Sequence, residues 1–562
     1  MRRNIPYISL MAAAAVLTLA LVACGGSEAR VSQPTTPADK AAPADQQVLV
    51  AQSIEPEYVD PQRSDSEGDV IIDRMLFRGL YELQLDSSDN VVAVPALAAG
   101  EPQVNGNVYT ITLKDGLEWS DGQPLTAQDF EYSLKRECSP DVAGPYQYLL
   151  GAGMLDLVGC DDYFNGAATA DAVGVKALDD KTLQMTLTAP KPTFTTIMSL
   201  WPVSPLPKHV IDKVGDNWTD PANIVVDGPY TLTELVAKDH ATLVPNPNWA
   251  LEPKPQLQKL TLKFIDDEEV AFRAFQTGEL DMTQVAATDI PTIQNDPTLK
   301  SEYLQVGSLR IRAVEMLMTN PVLAKPDVRL ALSRAIDRDS LVNVVYNGAY
   351  LPATYWLPQG MPGYQGNDAF QSVIGYDPAA AKQALADAGY PGGQGFPKLS
   401  ITVSDDPALR AEAEFLQQAW KQVLGIDTEI QPVDRPTAGQ IYNSQSFDLF
   451  LGGWQNDYPD PENSLIGIFN TDGTNNQHAC SDPDIDAKLA AAGTETDNAT
   501  RIADLQAAET LVVTRLCGVA PLWQGAVLYL VNSKVGGVRP NGAIDAAMPG
   551  NWCPECWFIK AQ

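Results

Sequence analysis

From residue 47 onward the chain alternates short β-branched runs with amphipathic helical stretches, and it does so in two separate blocks. That pattern restricts the fold to the α/β class. Val108 to Leu113 alternates apolar and polar residues and ends in Lys114-Asp115-Gly116, a strand and a turn, and Thr182 to Leu187 repeats the pattern. Between them lie a helix capped at Thr126 and a long irregular stretch holding Cys138 and Cys160, so this part reads as a smaller α+β domain. Leu260 to Ile265, Asp267 to Thr277 and Leu280 to Met282 form a strand–helix–strand unit, with Phe272 and Phe275 inward and Gly278 ending the helix. A second, larger α/β region begins near residue 300. Val328, Ala331, Leu332, Ala335 and Ile336 share one helical face, and Asp377-Pro378 starts a helix that Gly389 ends. Leu399 to Val403 is a strand. Leu409, Ala413, Leu416, Trp420, Val423 and Leu424 mark the buried stripe of a helix stopped by Gly425. Ile426 to Ile430 and Phe447 to Leu451 are the next strands. Two α/β regions predict two lobes with a cleft between them.

The first residues read as something other than fold. Arg2 and Arg3 precede an apolar stretch, Ile8 to Val22, too short to span a bilayer. Leu21-Val22-Ala23-Cys24 closes it with small residues before a cysteine, the pattern of a lipoprotein cleavage site. Residues 1–23 are therefore expected to be a signal peptide, with Cys24 carrying the lipid anchor. Residues 24–46, rich in Ala, Pro, Ser and Thr, read as a disordered tether. The formal charge of −33 argues against nucleic acid and anionic lipid surfaces as partners. Six cysteines remain besides Cys24: Cys138, Cys160, Cys480, Cys517, Cys553 and Cys556. An even number in an exported chain predicts disulfides, with neighbours in sequence paired. Cys553-Pro-Glu-Cys556 also has the form of a redox pair or half a zinc site. Its place in a Pro/Gly-rich tail with no second such pair favours a structural staple.

Chemistry concentrates after the strand Phe447 to Leu451, where Gly452-Gly453-Trp454-Gln455-Asn456-Asp457-Tyr458-Pro459-Asp460-Pro461 follows. In open α/β sheets ligands bind beyond the carboxyl ends of strands. The glycines would let a ligand backbone approach, Trp454 and Tyr458 would wall the site, and Asp457 would hold a primary ammonium group. Asp482, Asp484 and Asp486 start like a calcium loop, but Ala487 and Gly493 stand where that loop needs Gly and Glu, so no metal is expected. Three histidines without metal spacing, and no nucleophile-elbow, phosphate-loop or dinucleotide signature, argue against an enzyme and against a cofactor.

Several stretches resemble the oligopeptide/dipeptide/nickel-binding family of ABC-importer solute receptors over nearly the whole mature length. They are Leu113 to Phe130 (through Trp119-Ser-Asp-Gly and Asp129), Gly228-Pro-Tyr230, Gly278 to Asp281, Val328 to Arg338, and Gly453-Trp454 through Asp457 to Pro461. The resemblance implies a periplasmic-binding-protein-like, two-lobe fold of the three-domain type (class II), closing on its ligand by hinge motion. On that plan residues 47–80, 190–285 and 525–562 form lobe 1, 81–189 a small domain, and 286–524 lobe 2. It implies a monomer at the extracytoplasmic face of the cell membrane that captures peptides and delivers them to ABC permease subunits. Other readings are a same-fold receptor for an oligosaccharide or another organic solute, and a surface lipoprotein without transport. Asp457 would pair with the peptide ammonium, and the backbone around Gly453 and Gln455 would take the peptide as an added strand. Ser66, Glu67 and Gly68, in the loop from Ser64, would face it from lobe 1. Where dipeptide-binding members place a carboxylate-holding arginine, this chain has Ser404-Asp405-Asp406-Pro407. The arginines that oligopeptide receptors carry before the Gly-Trp pair are also replaced, with Tyr442 and Leu451 nearby.

Overall fold

A computed structural model describes residues 39–86, 91–151, 154–545 and 548–561. Cys24, the signal peptide and most of the tether lie outside the described residues. The main sheet contains β1 (Val48–Ser53), β2 (Tyr230–Val236), β3 (His240–Pro245), β4 (Lys259–Phe264), β5 (Met282–Gln284), β6 (Tyr303–Met316), β7 (Leu399–Ser404), β8 (Thr428–Val433), β9 (Leu449–Gln455) and β10 (Val519–Val531). They hydrogen-bond in the order β8-β7-β9-β6-β10-β5-β1-β4-β3-β2, and Leu351–Pro352 adds a short pairing to β10.

β6 and β10 run side by side across both lobes, with Tyr303 opposite Leu530 at one end and Glu315 opposite Val519 at the other. Their register shifts between Gly307 and Ile311 and again between Arg312 and Ala313. Such irregularities bend and twist a strand pair, so the two halves of the sheet belong to two lobes joined by one continuous ribbon. Small residues make the first break possible. A Cβ on Gly525 would come within 2.7 Å of Ser308 Oγ, and one on Gly307 within 2.8 Å of Gln524 Nε2.

Each body has its own core. Leu49, Ile71, Ile72, Trp218, Leu243, Leu260 and Trp557 fill lobe 1. Ile311, Val314, Leu332, Trp356, Leu416 and Trp420 belong to the core of lobe 2. The small domain packs Trp119, Phe130, Leu183 and Met185 around an antiparallel sheet ordered Gln103–Asn105, Val108–Thr112, Thr182–Thr186, Val175–Ala177. The helix Ala127–Glu137 starts where the cap signal places it, with the Thr126 N–H donating to Asp129 Oδ2 at 2.8 Å.

Disulfides join Cys138 to Cys160, Cys480 to Cys517 and Cys553 to Cys556, with Cα separations of 5.1, 5.3 and 5.3 Å. The last one shapes the tail so that Glu555 meets the buried guanidinium of Arg78 at 3.0 Å and Pro554 O accepts from the Tyr230 hydroxyl at 3.2 Å. Arg78 follows α1 (Glu67–Leu76), so the C-terminal tail is fastened to the first helix of the chain.

One element differs from expectation in a way that matters for the site. The strand expected over 447–451 is β9, which begins at Leu449 and continues through both glycines to Gln455. The glycines read as a loop, but they serve strand pairing. A Cβ on Gly452 would collide with Glu315 Oε1, and one on Gly453, held at φ +133°, with the Ile311 carbonyl. Only glycine lets the Glu315 side chain cross β9 and accept from the Gly453 N–H at 2.8 Å.

Candidate ligand-binding site

A cavity of about 470 Å³ lies where the β6–β10 ribbon changes register. Lobe 1 contributes Asp65, Ser66, Glu67, Val70 and Arg74 from the start of α1, together with the loop Gly542 to Asp545. Lobe 1 adds Trp201, the small domain contributes Tyr146, and lobe 2 contributes Arg310, Tyr350, Gln455, Asn456, Asp457 and Trp523.

Asp457 stands on the loop after β9 and is exposed to the cleft, yet crowded enough that burial raises its carboxyl from the usual range. Hydrogen bonds from Asn463 and Tyr148 act against that rise. Asn463, on the helix Pro461–Phe469, is the organiser of this corner. Its Oδ1 accepts from the Asp457 N–H at 3.0 Å and from the Trp454 indole at 3.3 Å, and its Nδ2 lies 3.4 Å from Asp457 Oδ2. Tyr148, from the small domain, stands close enough to Asp457 to favour its ionised form.

The eight residues expected to bind ligand separate into two groups. Gln455, Asp457, Ser66 and Glu67 line the cavity. Gly453, Trp454, Tyr458 and Gly68 do not. Because β9 runs on through Trp454, side-chain alternation sends Trp454 and Gln455 to opposite faces. Trp454 packs against the lobe 2 core and acts on Asp457 through Asn463. Tyr458 is buried in the core of the small domain, its hydroxyl 3.6 Å from Met154 Sδ, so it ties the lobe 2 loop to that domain instead of walling a site. Gly68 lets α1 lie on the preceding segment, since a Cβ there would approach Ile54 O to 2.9 Å.

The loop ahead of α1 also differs in role. Ser66 Oγ caps α1 by accepting from the Asp69 N–H, and Asp69 Oδ2 takes the N–H groups of Asp65 and Ser66 at 3.2 Å. Those amides are therefore engaged by the capping box rather than turned to a ligand. Burial raises the Glu67 carboxyl from its ordinary value and pushes that of Asp545 up to about 7.

β9 also presents an unpaired edge. β7 reaches it only at Leu449 and Phe450, so beyond Phe450 no described strand lies on that side. The Asn456 N–H bonds Leu309 O at 3.1 Å, and antiparallel alternation then turns the backbone of Gln455 to the open edge.

Sequence alone missed Tyr148, Asn463, Arg310, and the aromatic lining of Tyr146, Trp201, Tyr350 and Trp523. Asn463 follows the Asp460-Pro461 helix start, and that was its only signal. Among the described residues no group of three or more His, Cys, Asp or Glu is placed to hold a metal ion.

Residues 92–476 match the family model described as bacterial extracellular solute-binding proteins, family 5 middle. The chain is 29% identical over 555 residues to the periplasmic oligopeptide-binding protein OppA of Salmonella typhimurium, covering 96% of this chain and 97% of the relative. It is also 29% identical to the probable deoxycholate-binding periplasmic protein YgiS of Escherichia coli, covering 86% and 89%. The unliganded open form of the murein tripeptide binding protein MppA superposes with a TM-score of 0.84 at 27% identity, over 94% of this chain and 99% of that one. Another structure of MppA, from Escherichia coli, gives 0.65 at 27% identity over 92% and 99%. The family model spans more than half of the sequence, and the chain belongs to the bacterial extracellular solute-binding proteins of family 5.

Proposed function

We propose that this chain is the extracytoplasmic receptor of an ABC importer and that it captures peptides in the cleft between its lobes. The observation that carries the reading is one corner of the cavity. There Asp457, a carboxylate raised by burial, stands beside a strand edge turned outward at Gln455. An ammonium group would gain a charge-assisted hydrogen bond to Asp457, and the peptide backbone would extend β9. The oligopeptide-binding relative supports the substrate class. The open arrangement is supported by the better superposition on an unliganded open form than on another structure of the same binding protein. In this reading 47–80, 190–285 and 525–562 form one lobe, 286–524 the other except for the first half of β6, which runs into lobe 1, 81–189 the small domain, and Cys24 anchors a monomer to the membrane.

A second reading, an organic solute other than a peptide, is favoured by the four aromatic side chains on the cavity wall and by the relative named for deoxycholate. Native mass spectrometry of the purified protein, gently desalted and then denatured, separates the two. Co-purified peptides of narrow length range are the expected result. A sugar, steroid or other non-peptide mass would replace the first reading with the second.

A further inference from the structure

The cavity wall carries four acids, Asp65, Glu67, Asp457 and Asp545, and two cations, Arg74 and Arg310. Arg74 is occupied, donating to Ile544 O and, at 3.2 Å, to Asn551 Oδ1. Arg310 differs. Among the described residues no carboxylate lies within ion-pair distance of it and it donates no side-chain hydrogen bond, although it is part of the cavity wall. Glu412, the carboxylate whose charge favours the charged form of Arg310, is engaged by other partners: it lies 3.6 Å from Arg312 and accepts from the Tyr346 hydroxyl at 2.5 Å.

The guanidinium is nonetheless held in place. It lies over the Trp523 ring, 5.9 Å from its centroid, and Trp523 is itself stacked on Tyr350 at 4.1 Å. The backbone of Arg310 is opposite Gln455 in the β6–β9 register, and the preceding Leu309 carbonyl accepts both the Asn456 N–H and, at 2.8 Å, Asn456 Nδ2. This cation is thus fixed across the strand pair from the segment that carries Asp457. Crowding and the neighbouring charge of Arg312 both disfavour its charged form. A crowded cation without a counterion is a costly arrangement that an incoming anion relieves, and a guanidinium suits a carboxylate in particular.

We propose that Arg310 is the carboxylate subsite of the cleft. The proposal rests on the peptide reading. It makes the site zwitterionic, with ammonium on Asp457 and carboxylate on Arg310. That carboxylate is either the C-terminus of a short peptide or an acidic side chain of a longer one.

The test is equilibrium dialysis with mass-spectrometric readout, using random tri- to hexapeptide pools as free acids, as C-terminal amides, and as N-acetylated free acids. Wild-type protein should retain free acids over amides by roughly 10- to 100-fold. Arg310→Gln should abolish that preference while keeping the preference for a free amine and the wild-type unfolding temperature, and Arg310→Lys should keep part of it. If amides bind as well as acids, but glutamate- or aspartate-containing members are enriched and the enrichment disappears in Arg310→Gln, the subsite reads a side chain. An unchanged preference in Arg310→Gln overturns the assignment and leaves the peptide receptor standing. If no pool binds wild-type protein, the peptide reading itself falls, and the subsite with it.

Discussion

Asp457 is a carboxylate that neighbouring atoms make hard to ionise, and a ligand ammonium would reverse that cost. Asp457→Asn should weaken peptide binding by roughly 2–5 kcal/mol, because the buried ammonium loses its counter-charge. Calorimetry with the recovered peptide checks this, and an unchanged Kd would remove Asp457 from the site. The pH dependence follows from the direction of the shift. A carboxyl whose pKa is raised in the empty receptor takes up a proton earlier as pH falls, so affinity should be full near pH 7 and decline on acidification, beginning above the ordinary Asp range near 4. The decline should be smaller in Asp457→Asn, where only other acids such as Glu67 contribute. At this scale the sequence was partly legible. Asp457 and Gln455 follow a strand, where ligands gather. Trp454 and Tyr458 look like walls to anyone who ends that strand at Leu451. Arg310 carries no mark, since Leu309-Arg-Ile-Arg312 is ordinary strand alternation whose cleft-facing side is decided only by which strands pair with it.

At the level of elements, helices were easier to place than strand ends because their limits are written in local chemistry. Asp377 and Asp406 each accept from the amides of the first turn, and Gly425 at φ +74° ends the helix Pro407–Leu424. Strand limits depend on distant partners, which is why β9 outruns its apolar residues and β5 lies two residues past the expected position. Gly453 is the sharpest consequence. Gly453→Ala combines a forbidden backbone angle with a collision against the Ile311 carbonyl, and should cost roughly 2–4 kcal/mol. Thermal unfolding measures it, and a variant as stable as wild type would show that β9 does not need glycine to pair with β6. Likewise Ser66→Ala should cost about 1 kcal/mol through loss of the α1 cap, and a larger effect on ligand affinity than on stability would assign Ser66 a role beyond capping.

For the whole molecule, two lobes joined by the β6–β10 ribbon imply that a ligand touching both walls favours a closed state. Saturating peptide should lower the radius of gyration seen by small-angle X-ray scattering by something on the order of 1 Å, and an unchanged profile would argue against closure. The two-lobe plan was legible because α/β alternation occurs twice; the crossing ribbon was not, since nothing local tells a strand that its two halves serve different bodies. The way the ends of the fold are fastened has a further consequence, one of timing. Ala42 donates to Ile559 O at 2.7 Å, and the Gln47 amide holds both backbone groups of Ile559. Lobe 1 is therefore finished by a segment that follows lobe 2 in the chain, while most of lobe 2 is encoded in one uninterrupted stretch. A chain emerging N-terminus first can settle its second lobe before its first, and the lobe begun earlier must wait, incomplete and unable to lock, until the segment beyond lobe 2 has emerged as well.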